Sequence, residues 1–571
     1  MQAWPEGVRI ADSRFVMRCG HQQLNDRNPH LDQSLRVEPT EEDQELQEQG
    51  ILYEDSVRAN LVSIYDIEDL SLRDNIQDRI DATQEAMERG DAIIIGGTLP
   101  EINNRRGAPD VLILDTSDSR SENRNFYYPC DVKNRYALSD PKSSEQQLSR
   151  LQDLRFENST IESVSRTKLN EDDSLQLAHY WRMLQDLDRA PTNSPVGAII
   201  DKTGIAFWRD LNDALTAYDQ KFDLRATAVL ALINDNEELI PPIWNDEWCK
   251  KCHWRDVCGD RLVSEQHVSV LKGVTYLRYE KLQEINISTW SDLVSADLKT
   301  QPKIEKWARA AKDTALIRLS GETRPFLPRE PDPNIFVPRA DIEIDFDLEE
   351  VAASEWLKRD ALVYLWGTVT TFQDSVNENL RDQIGSDFQD FSVFTDSQID
   401  KEGSAFLRFW KWTCSAINLA KENNLSIKFY CCNGKSTEIA RMKRIATSRA
   451  GVVGMPSGTE IDEFASSDLY VDILDHIKRL LLPTDDNGLK SVAHLAGFTW
   501  DDPSANGKKS IFWFQQWGSN SSNVALQEEF MNKILTYNRN DCEATRAIRN
   551  WINHGMTSST DGFKSISTLD K

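Results

Sequence analysis

The 571-residue sequence contains no apolar run of the ~20 residues needed to cross a bilayer. Its first residues, MQAWPEGVRIADSRF, also lack the basic and then apolar pattern of a secretory signal peptide. These absences predict a soluble, cytoplasmic protein with no membrane partner. No internal repeat is visible. The length alone predicts two or three domains, because it is too great for one hydrophobic core.

Cysteine is scarce. The chain has nine, and three of them lie together in the segment WCKKCHWRDVC, at Cys249, Cys252 and Cys258. Disulfides are not expected in a reducing cytosol. The spacing C-x2-C-x5-C instead favours metal binding, so the predicted compartment and the cysteine pattern agree.

Basic residues are fewer than acidic ones, 66 against 93, which gives a formal net charge of -27. That balance argues against a protein that coats nucleic acid, because Lys and Arg supply most of the non-specific affinity for phosphate. It leaves a nuclease open, since sites for divalent cations need clustered carboxylates. Positive charge is local: residues 303–318 hold five Lys/Arg against two acids, and residues 435–449 hold five against one. The second segment is a candidate surface for the backbone of a single strand.

Proline is concentrated in the segment TRPFLPREPDPNIFVPR, which predicts an extended connector and marks the main domain boundary. Before it, two short helices around a turn resemble a helix-hairpin-helix-like module that would contact a DNA backbone; a plain packing bundle is the alternative. After it, strand patterns followed by amphipathic helices predict an α/β domain. The predicted segments are 1–262, a first α/β domain; 263–322, the helical module; 323–340, the linker; 341–555, the second α/β domain; and 556–571, a Ser- and Thr-rich disordered tail.

The first candidate site begins with Asp110, in GAPDVLIL, and continues with Asp131 and Lys133, in FYYPCDVKN. One residue separates Asp131 from Lys133, so both side chains lie on one face of a strand. Hydrolysis of a phosphodiester needs carboxylates that hold a divalent cation and a group that positions the attacking water. We therefore predict that Asp110 and Asp131 bind metal and that Lys133 positions water.

Two helical patterns extend this set: Glu54 lies upstream, and Gln176 and Tyr180 lie one turn apart downstream. In this order the residues resemble those of RecB-family PD-(D/E)XK nucleases, over most of residues 13–258. The resemblance implies a restriction-endonuclease fold, Mg²⁺ or Mn²⁺ as cofactor, Glu54 as a further metal ligand, and contacts from Gln176 and Tyr180 to the nucleic-acid strand. An alternating core strand and an ordinary amphipathic helix are the alternative.

A fourth cysteine, Cys19, lies far upstream of the other three. This split resembles that of RecB-like nucleases with an iron-sulfur staple. The resemblance implies that Cys19, Cys249, Cys252 and Cys258 close a [4Fe-4S] cluster, although four thiolates can equally hold Zn²⁺. Cys130 is a competing ligand, but a strand would turn its side chain away from the face of Asp131, and we interpret it as a small buried hydrophobe.

The second candidate site begins with Asp347 and Glu349, which alternate on one strand face in RADIEIDFDLEE; Asp345 gives a competing register. Downstream, Asn433 and Glu438 have the spacing of the second acidic motif of the family named below. In that motif an aromatic residue and an aspartate usually stand where this sequence has Thr437 and Glu438, so the match is weaker.

The third motif, YNRND, puts Tyr537 and Asp541 on one helix face. Together the three motifs resemble those of DEDD exonucleases of the ribonuclease H-like fold. The resemblance implies two divalent cations held by Asp347, Glu349, Glu438 and Asp541, with Tyr537 orienting water. Asp472 is assigned no role. The whole arrangement resembles a bacterial family of RecB-type nucleases with a C-terminal exonuclease-like domain.

The sequence therefore predicts a metal-dependent nuclease with two sites, acting on DNA rather than RNA, single strands included, in repair, recombination or defence. One alternative is a scaffold that binds nucleic acid or a helicase partner, in which one or both sites have lost activity. Another is that the C-terminal site acts on RNA, since no residue pattern identifies recognition of a 2′-hydroxyl group.

Overall fold

The computed structural model describes residues 4–5, 8–39, 41–117, 124–135, 138–167, 170–192, 194–351, 361–385, 387–394, 400–483, 486–520, 522–558 and 562–570. By its internal contacts the chain forms two compact units, Met1–Leu262 and Val263–Lys571. No helix in the described ranges combines the length and the apolar character that a membrane span requires.

The first unit is built from a mixed set of helices and strands. Its described strands are β1 (Ile93–Ile95), β2 (Leu99–Ile102), β3 (Arg105–Gly107), β4 (Val111–Asp115), β5 (Phe126–Val132), β6 (Leu138–Arg150), β7 (Thr160–Thr167), β8 (Val196–Ile200) and β9 (Ile205–Asp210). Its described helices are α1 (Gly20–Asn25), α2 (Glu41–Tyr65), α3 (Ile76–Arg89), α4 (Glu171–Asp186), α5 (Asn212–Asp235), α6 (Asp246–Cys249) and α7 (Arg255–Ser264), which continues just past the boundary.

The main sheet of this unit has the strand order β1-β4-β5-β8-β9-β6-β7 among the described residues. The pair β5 and β8 is parallel, and the other neighbouring pairs are antiparallel. All seven residues of β5 are buried, as expected for an aromatic-rich strand inside a sheet. Helix α4 packs on β5 through an apolar face that includes Leu177 and Trp181. This packing brings polar residues of α4 to the end of β5.

The second unit contains the remaining elements. Its described helices are α8 (Tyr276–Gln283), α9 (Trp290–Ser295), α10 (Pro302–Ser320), α11 (Glu378–Ile384), α12 (Lys401–Glu422), α13 (Glu438–Ser448), α14 (Gly458–Ser466), α15 (Ile473–Ile477), α16 (Leu489–Leu495), α17 (Gly507–Ser519) and α18 (Val524–Thr557). Its described strands are β10 (Phe326–Leu327), β11 (Ile342–Val351), β12 (Leu362–Phe372), β13 (Asp387–Ser392), β14 (Ile427–Cys431), β15 (Tyr470–Asp472) and β16 (Lys564–Ser565).

The larger sheet of this unit has the order β13-β12-β11-β14-β15 among the described residues. The first three strands are antiparallel, and β14 and β15 continue in parallel from β11. Strand β11 places Ile342, Ile344 and Phe346 in an apolar core on one face. Helix α18 packs against β11 and β12. The other face of β11 is acidic, and its chemistry determines the candidate site.

The proline-rich segment is not a free connector. Phe326 and Leu327 form β10, which pairs in parallel with β16, and Phe326, Ile335 and Val337 are almost completely buried. The prolines do favour extended backbone, but the apolar residues between them pack into the unit. The main boundary therefore lies after Leu262, and the prediction that placed it in this segment was wrong.

The described part of the predicted disordered tail is also ordered. Helix α18 extends to Thr557, and residues 564–569 form β16 and a short 3-10 helix. Ile566 is fully buried against Ile317 of α10, and Asp570 forms an ion pair with Arg329. Two apolar residues in a Ser- and Thr-rich stretch, Phe563 and Ile566, are enough to fix it here, a feature that composition does not show.

The helical module contains α8, α9 and α10 around a small apolar core. Leu282, Trp290, Leu293 and Ala308 are buried in it. Its two short helices lie where the sequence predicted them. Its resemblance to a helix-hairpin-helix module stays a prediction.

Candidate metal centres

Four acidic residues alternate along the face of β11 that lies toward α18. Two of them, Glu343 and Asp345, bind the fully buried Arg549: its Nε and Nη2 donate to Asp345 at 3.0 and 2.9 Å, and its Nη1 donates to Glu343 at 2.6 Å. The other two are Asp347 and Glu349. Both carboxylate oxygens of Asp345 therefore bind Arg549, and the competing register, in which Asp345 would be a metal ligand, is not favoured.

Asp347, Glu349 and Asp541 form an acidic triad, in which one carboxylate oxygen from each residue lies within 4.8 Å of the other two. The first two come from β11 and the third from α18. Asn538, one turn before Asp541, donates to Asp347 Oδ2 at 2.9 Å. Gly367 makes room for this amide, because a Cβ there would lie 1.7 Å from Asn538 Oδ1.

Two further contacts hold the acids of the triad in place. Trp500 Nε1 donates to Asp541 Oδ1 at 2.7 Å. Tyr364 Oη contacts Glu349 Oε2 at 3.5 Å and shares a hydrogen bond with Ser510 Oγ at 2.8 Å. Trp500, Tyr364 and Ser510 were missed by sequence reasoning, because their distances along the chain from the acids follow no periodicity.

The electrostatics of the triad favour a bound cation. Burial raises the pKa of Asp347, and repulsion from Asp541 and Glu349 raises it further. Burial and the charge of Asp541 likewise raise the pKa of Glu349 to about 8. Within the described residues none of the three carboxylates joins an ion pair. Three converging carboxylates, two of them buried and one half-buried, that form no ion pair fit a hard divalent cation such as Mg²⁺ or Mn²⁺.

Glu438 lies at the edge of this group. It is the first residue of α13 and is buried, and burial raises its pKa to about 7. Its Oε2 is enclosed and has no hydrogen-bond partner. Its charge acts on Asp347, but it is not among the three ligand atoms within 4.8 Å of one another. The structure thus places Glu438 near the triad without making it an equal member.

The loop before α13 is fixed by a residue to which the sequence assigned no role. Asp472 accepts hydrogen bonds from the backbone nitrogens of Asn433, at 2.9 Å, and Lys435, at 3.3 Å. Between them Gly434 is required, because a Cβ there would lie 2.1 Å from Cys431 Sγ. Asp472 therefore positions the segment that leads to the second acidic motif.

Tyr537 lies one helical turn before Asp541 on α18, on the same face, as predicted. Only 8% of its surface is exposed. Burial raises the pKa of its hydroxyl group, and the neighbouring Asp541 raises it further, so the hydroxyl remains protonated. It is a hydrogen-bond donor beside the triad, with Asp541 as its near partner.

The basic segment 435–449 does not present free positive charge. All five of its cations form ion pairs with acids of the same unit: Lys435 with Asp475, Arg441 with Glu350, Lys443 with Asp462, Arg444 with Glu402, and Arg449 with Asp400. The prediction that it holds a nucleic-acid strand counted only its own residues. The acids that neutralise it lie elsewhere in the chain.

In the first unit, Asp131, Lys133, Gln176 and Tyr180 form one connected group. Lys133 makes an ion pair with Asp131 and donates to Gln176 Oε1 at 3.0 Å. The amide of Gln176 donates to Asp131 Oδ1 and to Tyr180 Oη, each at 3.1 Å. The contacts join the end of β5 to one face of α4.

Asp110 and Glu54 complete this group. Asp110 Oδ2 accepts the backbone N–H of Val132 at 2.8 Å. Burial raises the pKa of Asp110, and the charges of Asp131 and Glu54 raise it further. Arg58, one turn after Glu54 on α2, places Nη1 3.5 Å from Asp110 Oδ1. Asp110 thus joins the group through Val132, Arg58 is added to it, and Glu54 acts on Asp110 through its charge. In the described residues the carboxylate oxygens of Glu54, Asp110 and Asp131 do not all lie within 4.8 Å of one another.

The four predicted cysteine ligands line a single cavity in the first unit: Cys19, Cys249, Cys252 and Cys258. Cys19 caps α1, and Arg225 holds the segment before it by donating to the backbone oxygens of Met17 and Arg18 at 2.9 and 2.8 Å. Asp26, shortly after Cys19, connects this segment to the one that holds the other three cysteines, through hydrogen bonds with His253 at 2.7 Å and Trp254 at 3.0 Å.

The cysteine sulfurs accept hydrogen bonds but are not packed closely together. The backbone nitrogens of Asn245 and Trp254 lie 3.3 and 3.4 Å from the sulfurs of Cys249 and Cys252. In the described chain only the acidic triad has three potential ligand atoms within 4.8 Å of one another, so no three of these sulfurs do. Cys130 is fully buried on β5 and does not line the cavity.

Comparison with known proteins identifies one region. A family model described as the RNase_H superfamily matches residues 428–553. This segment contains Glu438, Tyr537 and Asp541, but not the strand that carries Asp347 and Glu349. The second unit thus contains a ribonuclease H-like domain, whose superfamily suggests a nuclease-type function. No curated protein and no solved structure matches the chain.

Proposed function

We propose that the protein is a divalent-metal-dependent nuclease and that the acidic triad of the second unit is its main active site. The observation that carries this proposal is the convergence of Asp347, Glu349 and Asp541, which form no ion pair in the described residues, in a unit of which residues 428–553 match the RNase_H superfamily. Bound cations would neutralise charge that develops on the phosphate during hydrolysis.

The chain's own groups have separate tasks in this site. Asp347, Glu349 and Asp541 would hold the metal, with Glu438 as an outer ligand whose enclosed Oε2 is free to turn toward it. Tyr537 keeps its proton and would donate it in a hydrogen bond that orients the attacking water. Trp500 donates to one oxygen of Asp541, which would leave the second oxygen to hold the metal.

The first unit would carry a second nuclease site. Asp110, Asp131 and Glu54 supply carboxylates, and Lys133 stands between Asp131 and Gln176, where it would position water. Gln176 and Tyr180 would contact the strand beside the scissile phosphate. The support is the network of hydrogen bonds that joins these residues. DNA is the proposed substrate of both sites.

The cysteine cavity would hold a [4Fe-4S] cluster. Four thiols face one space, with backbone N–H groups directed at two of the sulfurs. A single Zn²⁺ with Zn–S bonds near 2.3 Å needs sulfurs about 3.8 Å apart, closer than any three of these sulfurs lie to one another. Iron and acid-labile sulfide in purified protein would support the cluster, whereas stoichiometric zinc without sulfide would contradict it.

The decisive experiment uses the full chain with end-labelled single- and double-stranded DNA and RNA. We expect cleavage in Mg²⁺ or Mn²⁺ and none in chelator. Cleavage of RNA alone would change the proposed substrate from DNA to RNA. Cleavage that survives chelation would contradict both proposed metal sites. Binding without cleavage in every metal tested would favour the alternative function, a nucleic-acid-binding scaffold, for which the substitution of Thr437 and Glu438 in the second motif is the supporting observation.

A further inference from the structure

Lys490 holds an unusual position beside the acidic triad. It is the second residue of α16 and is half-buried. Its Nζ lies 5.2 Å from the centre of the Trp500 ring and 5.6 Å from that of Tyr537. The aromatic faces of a residue that binds Asp541 and of the proposed water-orienting residue therefore hold the ammonium group at the site.

The other cations around the triad are used inside the protein. Arg549 neutralises Glu343 and Asp345, and Arg441 pairs with Glu350. Lys490 differs, because it joins no ion pair or hydrogen bond in the described part of the chain. Its charge is still felt at the triad, where it helps to hold down the pKa of Asp541.

An ammonium group has three N–H donors, and aromatic faces stabilise its charge without accepting these hydrogens as oxygen atoms do. Keeping such a group half-buried beside a site for phosphate is unfavourable unless an anion satisfies it. The acids of the triad would be occupied by metal during the reaction. Asp502 also attracts Lys490 but forms no ion pair with it in the described residues. The phosphate backbone of the substrate is a further anion, and it could bind the ammonium group directly.

We propose that Lys490 binds a non-bridging phosphate oxygen of the nucleic-acid strand in the C-terminal site, next to the phosphate that is cleaved. This inference rests on the proposed nuclease function of that site. It assigns the substrate contact to a cation that the sequence does not mark, in place of the basic segment 435–449, whose cations are all paired.

Lys490→Met tests the proposal, because methionine keeps an apolar stem of similar length against both rings and removes the charge. The assay uses a 5′-labelled single-stranded oligodeoxynucleotide and full-length protein carrying Lys133→Ala, so that only the C-terminal site acts. We expect kcat/KM to fall roughly 10- to 100-fold, the loss of one charge-assisted hydrogen bond, mainly through KM. Lys490→Arg should restore most of it.

Salt dependence separates a phosphate contact from a structural role. For a single strand, each phosphate contact contributes about -0.7 to the slope of log affinity against log salt. The slope for Lys490→Met should be less steep by about that amount. Lys435→Met is the matched control, because Lys435 lies near Glu438 but is paired with Asp475, and its slope should equal that of the parent.

Unchanged kcat/KM in Lys490→Met, or lower kcat/KM with an unchanged salt slope, would overturn the inference and leave the nuclease function standing. An equal loss in Lys490→Met and Lys490→Arg, with a lower melting temperature in both, would also overturn it, since packing would then explain the effect. If the Lys133→Ala parent cleaves nothing in any metal, the nuclease function proposed for the C-terminal site fails, and this outcome is distinct from the others.

Discussion

The two candidate centres differ in whether their carboxylates contact cationic side chains. In the first unit, Asp131 is paired with Lys133, and Asp110 lies 3.5 Å from a nitrogen of Arg58. In the second, Asp347, Glu349 and Asp541 have no paired cation among the described residues, although Arg549 neutralises two neighbours on the same strand. The first centre therefore contains cations that contact its acids, whereas the acids of the second form no ion pair within the described residues.

This difference predicts different responses to metal and to mutation. A buried carboxylate without a partner is unfavourable until a cation binds, so the second centre should gain more stability from Mg²⁺. In the first centre a bound metal would compete with Lys133 for Asp131 and with Arg58 for Asp110. Removing a carboxylate should therefore be the severest change in the second centre, and removing a cation the most informative one in the first.

The largest effect is expected for Asp541→Asn. The amide keeps the shape of the side chain and can still accept from Trp500, but it removes a metal-binding charge. The C-terminal activity should fall on the order of 10⁴-fold, since each metal-held charge contributes several kcal/mol in the transition state. The rate is measured in the Lys133→Ala parent.

Glu529→Gln is the control for Asp541→Asn, since Glu529 lies on the same helix and pairs with Lys533. Its rate should not change. If Asp541→Asn cleaves at the parental rate, the triad is not the metal site.

In the first centre, Lys133→Ala should lower cleavage about 10²- to 10⁴-fold, the usual contribution of a group that positions or transfers a proton. Asp110 and Asp131 remain, so metal should still bind. The activity is measured in protein carrying Asp541→Asn, with metal binding followed by calorimetry. Lys221→Ala, which breaks an exposed ion pair with Glu171, serves as the control. Full activity of Lys133→Ala in this background would remove the first unit from the proposed mechanism.

Much of both centres could be predicted from local spacing. Alternation along a strand relates Asp347 to Glu349, and a helical turn relates Tyr537 to Asp541 or Gln176 to Tyr180. These relations hold inside one element whatever the rest of the fold does. They identified the residues that the structure brings together, although the catalytic roles of these residues stay predictions.

The missed features depend on pairs far apart in the chain. Trp500 reaches Asp541 across 41 residues, and Arg549 reaches Asp345 across 204. The positive charge of the basic segment 435–449 was overestimated for the same reason. A local count of charge does not include the acids elsewhere in the chain that pair with its cations. The prediction of a proline-rich connector was wrong for a related reason. Composition indicates the backbone preference of the segment, whereas the burial of Phe326 depends on β16, which pairs with it.

Arg549→Met should test how much the buried ion pairs on β11 contribute to the stability of the second unit. It leaves Glu343 and Asp345 buried without a counter-charge, and breaking a buried pair typically costs about 3–5 kcal/mol of the free energy of unfolding. Urea unfolding of the full chain measures it. Arg546→Met, one turn earlier and half-exposed beside Glu543, should cost less than about 1 kcal/mol. A small loss for Arg549→Met would mean that the two acids are protonated or hydrated instead.

The smallest effect, and the sharpest one, is expected for Trp500→Phe. Phenylalanine keeps an aromatic ring against Phe498 and Lys490 but removes the N–H that holds Asp541 at 2.7 Å. Hydrogen-bond partners of metal ligands typically contribute about 10- to 100-fold in metal affinity. The Mg²⁺ concentration for half-maximal cleavage should rise by that factor, while the rate at saturating Mg²⁺ changes much less, because the ligand itself is still present.

Trp410→Phe is the matched control for this substitution. Trp410 is as deeply buried, at 8% exposure against 5% for Trp500, and packs edge-on against Phe464 in the apolar core. Both variants should lose some stability from the smaller ring, but only Trp500→Phe should change the Mg²⁺ requirement. If both shift it equally, loosening of the unit is the cause, and the indole N–H does not orient the metal ligand. If neither shifts it, Asp541 is positioned by α18 alone.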